Sequence, residues 1–149
     1  MRAVIQRVKE ASVTVEDEIV GQIGAGYLVL VGVNRADTLA DAQYIADKIV
    51  KLRVFEDDQN KMNLSLVDTG GAALIVSQFT LYGDARKGRR PGFVDAMGGD
   101  EAKSLYNDVC ELVAAQGIVV QRGTFGAHMD VRLWNDGPVT ILLDSSKQF

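Results

Sequence analysis

Ala72-Ala73-Leu74-Ile75-Val76-Ser77-Gln78-Phe79-Thr80-Leu81 is the stretch on which the reading of this chain turns. Its apolar half, Ala72 to Val76, follows Gly70-Gly71 and reads as a buried strand that continues to about Phe79. Its second half is polar without being charged. A second stretch, Asn135-Asp136-Gly137-Pro138-Val139-Thr140, holds one of the two prolines and leads into another strand-like run, Val139 to Leu143. Neither is a charged catalytic cluster, so the pair points to a site built from backbone and shape.

The flanking sequence supplies the rest of a strand-rich domain. Tyr27 to Val33 is a nearly continuous apolar run, as expected for a strand covered on both faces. Residues 1–8 read as a strand, and Ala11 to Val15 with Ile19 to Ile23 read as a hairpin around Glu16-Asp17-Glu18. Asp37 or Thr38 can cap a helix that runs to Leu52, because Leu39, Ala42, Ile45, Ala46, Ile49 and Leu52 share one helical face. A second helix is expected from Asp100 to Ala115, with Ala102, Leu105, Tyr106, Val109, Leu112 and Val113 on one face and Gly117 as its stop. Arg53-Val54-Phe55 and Leu64 to Val67 read as short strands on either side of a polar turn, Glu56 to Asn60. Gly83 to Gly92 reads as a loop. Ile118 to Arg122, Met129 to Trp134 and Val139 to Leu143 read as three closing strands. No repeat or linker divides the chain, so one α+β domain over residues 1–149 with two main helices is expected.

Composition narrows the chemistry. The 149 residues are 47% hydrophobic and 24% charged, enough apolar content for a real core. No apolar run approaches the roughly 20 residues of a membrane span. The N-terminus alternates polar and apolar residues, unlike a signal peptide, and the single cysteine fits a reducing compartment, so a cytoplasmic protein is expected. With one histidine and one cysteine, zinc-type ligand sets are out of reach; a carboxylate magnesium site stays open, but no Asp/Glu spacing marks one, and no metal or other cofactor is expected. A net charge of -4 argues against broad nucleic-acid binding, DNA included.

Each candidate residue has a plain structural reading beside a chemical one. His128 sits at a loop–strand junction, where it can border a site or simply be exposed. No G-x-S-x-G elbow surrounds Ser77, so the usual hydrolase signature is missing. Cys110, beside the apolar face of the second helix, reads as an inert buried thiol. Ser77 and Thr80 lie at a strand end without a base nearby in sequence, which favours positioning over nucleophilic attack. Backbone N–H groups around Phe79 and Thr80 can form an oxyanion hole. Arg86-Lys87-Gly88-Arg89-Arg90 is a local basic loop, suited to phosphates or merely solvated. Gly137-Pro138 reads as a turn between strands or as a place of close backbone approach to a ligand, and such a pair can take a cis bond.

Ser77-Gln78-Phe79-Thr80-Leu81 and Asn135-Asp136-Gly137-Pro138-Val139-Thr140 together resemble the two signature segments of the D-aminoacyl-tRNA deacylases of bacterial and eukaryotic type. The likeness extends over essentially the whole chain, from Met1-Arg2-Ala3-Val4-Ile5-Gln6-Arg7-Val8 onward. Gly123-Thr124-Phe125-Gly126-Ala127-His128-Met129 is similar to a third, pocket-lining segment. The resemblance implies a barrel-like, homodimeric hydrolase that cleaves the ester of D-aminoacyl-tRNA and so guards translation against D-amino acids. It implies active sites at the subunit interface, which we expect to involve residues 1–8 and 129–143. It also implies a cis Gly137–Pro138 pair that enters the partner's pocket and rejects L side chains, with Arg7 holding that gate and Phe125, Ala127 and Met129 lining the pocket.

Ser77, Gln78, Phe79 and Thr80 are the implied catalytic segment. The resemblance further implies that the terminal 2′-hydroxyl of the tRNA assists the attacking water and that backbone N–H groups hold the oxyanion. Glycine offers no side chain to reject, so glycyl-tRNA, including tRNA(Ala) mischarged with glycine, is an expected second substrate. Arg86, Lys87, Arg89 and Arg90 are the candidate tRNA contacts. Two alternatives remain: an esterase with Thr80 as its nucleophile, and a non-enzymatic nucleic-acid binder using the basic loop.

Overall fold

The computed structural model covers residues 1–149. In chain order it contains β1 (Arg2–Val15), β2 (Glu18–Ile23), β3 (Gly26–Gly32), α1 (Leu39–Lys51), β4 (Phe55–Glu56), β5 (Met62–Leu64), α2 (Leu66–Thr69), β6 (Ala72–Ser77), a 3-10 turn (Phe79–Tyr82), α3 (Gly99–Ala114), β7 (Val119–Arg122) and β8 (Asp130–Asp144). β1 is the spine of a six-stranded sheet. β8 runs antiparallel along one of its edges, while β3 pairs with its first half and β2 with its second half on the other. β6 then pairs parallel with β3, and β7 parallel with β6.

The sheet curls until β2 approaches β7. A Cβ on Gly21 would lie 2.8 Å from the Arg122 carbonyl oxygen, so only glycine lets the barrel come this near to closing. Val8, Val13, Ile23, Leu28, Leu74 and Val76 fill the concave side. On the convex side, α1 and α3 bring Ile45, Ile49, Tyr106 and Val109 onto Ile5, Tyr27, Val29 and Ile75. β3 and β6 are therefore covered on both faces, which explains their unbroken apolar runs.

Four expectations need correction. The expected strands at 1–8 and 11–15 are one strand, β1, which starts at Arg2. The expected strands at Met129 to Trp134 and Val139 to Leu143 are parts of one strand, β8, which starts at Asp130, and Asn135 to Pro138 is not a turn between strands. Gln6 pairs with Thr140 and Val8 with Asn135, so residues 136–139 bulge out opposite Arg7 alone. Pro138 is tolerated because β8 is an edge strand that pairs only with β1. Leu64 to Val67 is not a strand: Ser65 and Asp68 form a reciprocal capping box and start a third, four-residue helix, α2, which ends at Gly70 in the left-handed region. Strand β6 stops at Ser77, two residues before Phe79. No helix is long and apolar enough to cross a membrane.

Candidate active site

β3 and β6 are parallel, so their carboxyl ends emerge on the same side of the sheet, and the chain opens a crevice there. Gln78 N–H extends the ladder by donating to Val31 O at 2.7 Å. The backbone then tightens into the 3-10 turn, with Leu81 N–H donating to Gln78 O at 3.3 Å and Gly83 N–H to Thr80 O at 2.9 Å. The N–H groups of Phe79 and Thr80 precede the first bond of that turn. Gly32 makes the tight turn possible, since a Cβ there would lie 2.9 Å from Gln78 O.

The resulting cavity has a volume of about 490 Å³. Its floor is Val31, Val33 and Val76, and Ser77, Gln78 and Phe79 form one lip. Phe125, Gly126, Ala127, His128 and Met129 form the opposite wall. Phe93, Ala96, Met97, Gly98, Gly99 and Ala102 close the third side. Packing fixes these walls. Phe79 meets Phe93 edge-on at 5.1 Å, and Tyr106 lies 5.7 Å from Phe125. Tyr106 donates to Ile75 O at 2.8 Å; burial first, and then Cys110 beside it, pushes its phenol far above the usual range, so it remains a neutral donor. Gly123 leaves room for Met129, whose sulfur would lie 2.8 Å from an added Cβ. No Asp, Glu, Lys or Arg lines the cavity, which is mostly apolar, with Ser77, Gln78, Tyr106 and His128 as its polar side chains.

The sequence-derived residues fall into three groups. Ser77, Gln78, Phe79, Phe125, Ala127 and Met129 meet around the cavity. Thr80 follows them on the turn but does not line it; its exposed hydroxyl accepts a hydrogen bond from Gln78 Nε2. His128 sits exposed at the rim, and no hydrogen bond ties it to Ser77 or Thr80. Phe93, Met97, Gly98, Gly99 and Ala102 escaped the sequence reading, although the Gly98-Gly99 pair before an amphipathic helix was an available signal of a close approach.

Gly137 and Pro138 form the second group and lie outside the cavity of their own chain, exposed on β8 with a cis bond between them. They are anchored by Arg7, which is 5% exposed. Its Nη1 donates to Val54 O at 2.6 Å, and its Nε reaches Asp136 O at 3.3 Å and Asp136 Oδ2 at 3.2 Å. Gly137 has φ +117°, and a Cβ there would lie 2.9 Å from Arg7 Nη2.

The basic loop is the third group. Arg86 is committed to Asp84 through two contacts of 2.8 Å, which hold the aspartate's carboxyl well below the usual range. Lys87, Arg89 and Arg90 are exposed. No group of three or more His, Cys, Asp or Glu side chains is placed to hold a metal ion.

Residues 4–144 match the family described as D-Tyr-tRNA(Tyr) deacylase. A relative from Clostridium botulinum (strain Alaska E43 / Type E3), named D-aminoacyl-tRNA deacylase, is 58% identical over 149 residues, the whole of both chains. Among solved structures, one called c-Myc DNA Unwinding Element Binding Protein is 42% identical with a TM-score of 0.90, covering 97% of this chain and 98% of that one. A second, described as a probable eukaryotic D-amino acid tRNA deacylase, has a TM-score of 0.83 over 95% of this chain and 97% of its own; at 22% identity it speaks for the fold. Fold, pocket and relatives define an enzyme of the hydrolase class. The chain belongs to the D-Tyr-tRNA(Tyr) deacylase family.

Proposed function

We propose that this protein hydrolyses the ester between a D-amino acid and the terminal ribose of tRNA in the cytoplasm, releasing free D-amino acid and tRNA. The observation that carries the reading is the mostly apolar cavity, free of carboxylates, lysines and arginines, bordered by Ser77, Gln78 and Phe79 at a turn whose first N–H groups precede its first hydrogen bond. Water adds to the ester carbonyl carbon, and the negative charge that develops on the carbonyl oxygen is held by the N–H groups of Phe79 and Thr80. The ester C–O bond then breaks, and the departing ribose oxygen takes a proton. The neighbouring 2′-hydroxyl of the tRNA relays protons in a site that offers no side-chain base beside the turn.

Selection against L substrates comes from a second copy of the chain, whose Gly137–Pro138 segment enters the cavity where an L side chain would project. The exposure of that segment, and of Leu133, Trp134 and Leu142 on the same edge strand, supports a homodimer. Glycyl-tRNA, having no side chain, passes the gate, and tRNA(Ala) mischarged with glycine is a substrate on this reading. Lys87, Arg89 and Arg90 are the proposed phosphate contacts, whereas Arg86 is occupied by Asp84. Thr80 as a nucleophile is less favoured, because its hydroxyl is exposed, bonds only to the Gln78 amide and has no base beside it. The DNA-binding name of one structural relative is not carried over: the net charge of -4 opposes broad duplex binding.

The test is ester loss from matched D- and L-tyrosyl-tRNA, with and without chelator. Rapid loss of the D ester alone, unchanged by chelator, is expected. Equal loss of both would defeat the gate, and stability of both would defeat the enzyme. Sedimentation checks the dimer: an active monomer would rule out a gate supplied by a partner.

A further inference from the structure

Arg7 is held from two sides, and only one of them is the segment that carries Gly137. On the other side lies a strap, residues 52–56, which leaves the end of α1 and returns through the β4–β5 hairpin. Val54 O accepts the shortest hydrogen bond that Arg7 makes, 2.6 Å from Nη1. Glu56 Oε1 stands 3.9 Å from Nη2, the nitrogen that an added Cβ on Gly137 would touch.

The strap is itself held in place. Phe55 stacks on Tyr27, with ring centroids 5.1 Å apart and planes 23° apart. The Tyr27 hydroxyl donates to Leu52 O at 3.3 Å. Tyr27 is fully buried and is the cross-strand partner of Arg7, so both side chains leave the same face of the sheet. From below, Arg53 Nε donates to Asn63 O at 2.6 Å, and Asp57 N–H donates to Lys61 O at 2.9 Å.

A guanidinium is a planar fork on a long flexible stem. Held at Asp136 alone, it can pivot. Held also at Val54 O and flanked by Glu56, its plane is fixed, and so is the backbone that rests on it. From this geometry we infer that the Tyr27–Phe55 stack and the strap it supports are positioning elements for stereochemical selection, acting through Arg7 on Gly137. The inference rests on the gate reading given above. It predicts that loosening the strap lowers discrimination between D and L substrates more than it lowers cleavage of the D substrate.

The test measures kcat/KM on D- and L-tyrosyl-tRNA for Phe55→Leu, Phe55→Ala, Tyr27→Phe and Arg7→Lys, with thermal melts to establish folding. Phe55→Leu keeps most of the apolar volume and decides the matter if Phe55→Ala fails to fold. In Phe55→Leu the D/L ratio is expected to fall about 10-fold, mainly through gained L cleavage, since misplacing a positioning group by an ångström costs up to about 100-fold. Tyr27→Phe should lower the ratio less. A folded Phe55→Leu enzyme with an unchanged ratio overturns the inference; if Arg7→Lys then still collapses the ratio, the gate reading survives alone. An unchanged ratio in Arg7→Lys as well overturns both.

Discussion

The cavity beside Phe79 and the Gly137–Pro138 segment are both built on the same sheet, yet different forces hold them. The cavity is placed by distributed packing: Leu74, Ile75 and Val76 are at most 1% exposed, and Tyr106 and Ala102 close in from α3. Each such side chain contributes about 1.5–3 kcal/mol by burial, and many share the task. The Gly137–Pro138 segment has almost no burial of its own and depends on one guanidinium with directed bonds. A concave site held by many neighbours tolerates loss of a single polar group. An exposed projection held by one buried cation does not. On the proposed function, the reacting centre is thus robust, while stereochemical selection depends on a few residues.

Arg7→Ala should break that contrast most severely. It removes the buried cation and leaves Val54 O and Asp136 without their donor. A cost of about 3 kcal/mol is expected, at the low end for breaking a buried pair because Asp136 is partly exposed. Urea unfolding should register the loss, and discrimination against L-tyrosyl-tRNA should disappear. Survival of both stability and selectivity would mean that the segment is held by something other than Arg7.

Gly137→Ala is the next largest. The added Cβ would lie 2.9 Å from both Arg7 Nη2 and Val139 Cγ2, at φ +117°. Strain of about 1–3 kcal/mol is expected from the conformation and the crowding. On the proposed gate, D-tyrosyl-tRNA cleavage should fall, because the displaced segment would no longer fit a partner's cavity. Full activity with unchanged stability would remove Gly137 from the selection mechanism.

These two variants also mark where sequence reading ends. Both long helices were legible because their apolar residues recur at three and four, and β3 and β6 because they are uninterrupted apolar runs bounded by glycine. One lip of the cavity, Ser77 to Phe79, was legible as an uncharged stretch at a strand end, whereas the opposite wall, Phe125 to Met129, was named only through the family resemblance. What was not legible came from tertiary pairing. Pro138 suggested a turn, since nothing local reveals that β8 lies at an edge and can bulge opposite Arg7. The anchor of Arg7 at Val54 O joins a strand to a strap 47 positions away and uses a backbone carbonyl, which has no sequence signature. The helix at Leu66 was a different case: Ser65 and Asp68 carry the capping pattern, but the apolar residues between them suggested a strand.

Thr80→Ala should have the smallest effect, and it sharpens the contrast from the other side. If the lip of the cavity works through backbone N–H groups, deleting the Thr80 hydroxyl leaves the working atoms in place. The side chain is exposed and bonded only to Gln78 Nε2, which can turn to water instead. Stability should change by less than about 0.5 kcal/mol, as for most exposed substitutions. Cleavage of D-tyrosyl-tRNA should remain within about two-fold, because no oxyanion donor has been removed. A nucleophilic Thr80 predicts the reverse, a loss of several orders of magnitude with no change in folding, so steady-state rates on the D ester separate the two mechanisms without ambiguity. Near-normal turnover in Thr80→Ala beside lost selectivity in Arg7→Ala would place chemistry in the backbone of one copy and stereochemical choice in the buried charge of the other.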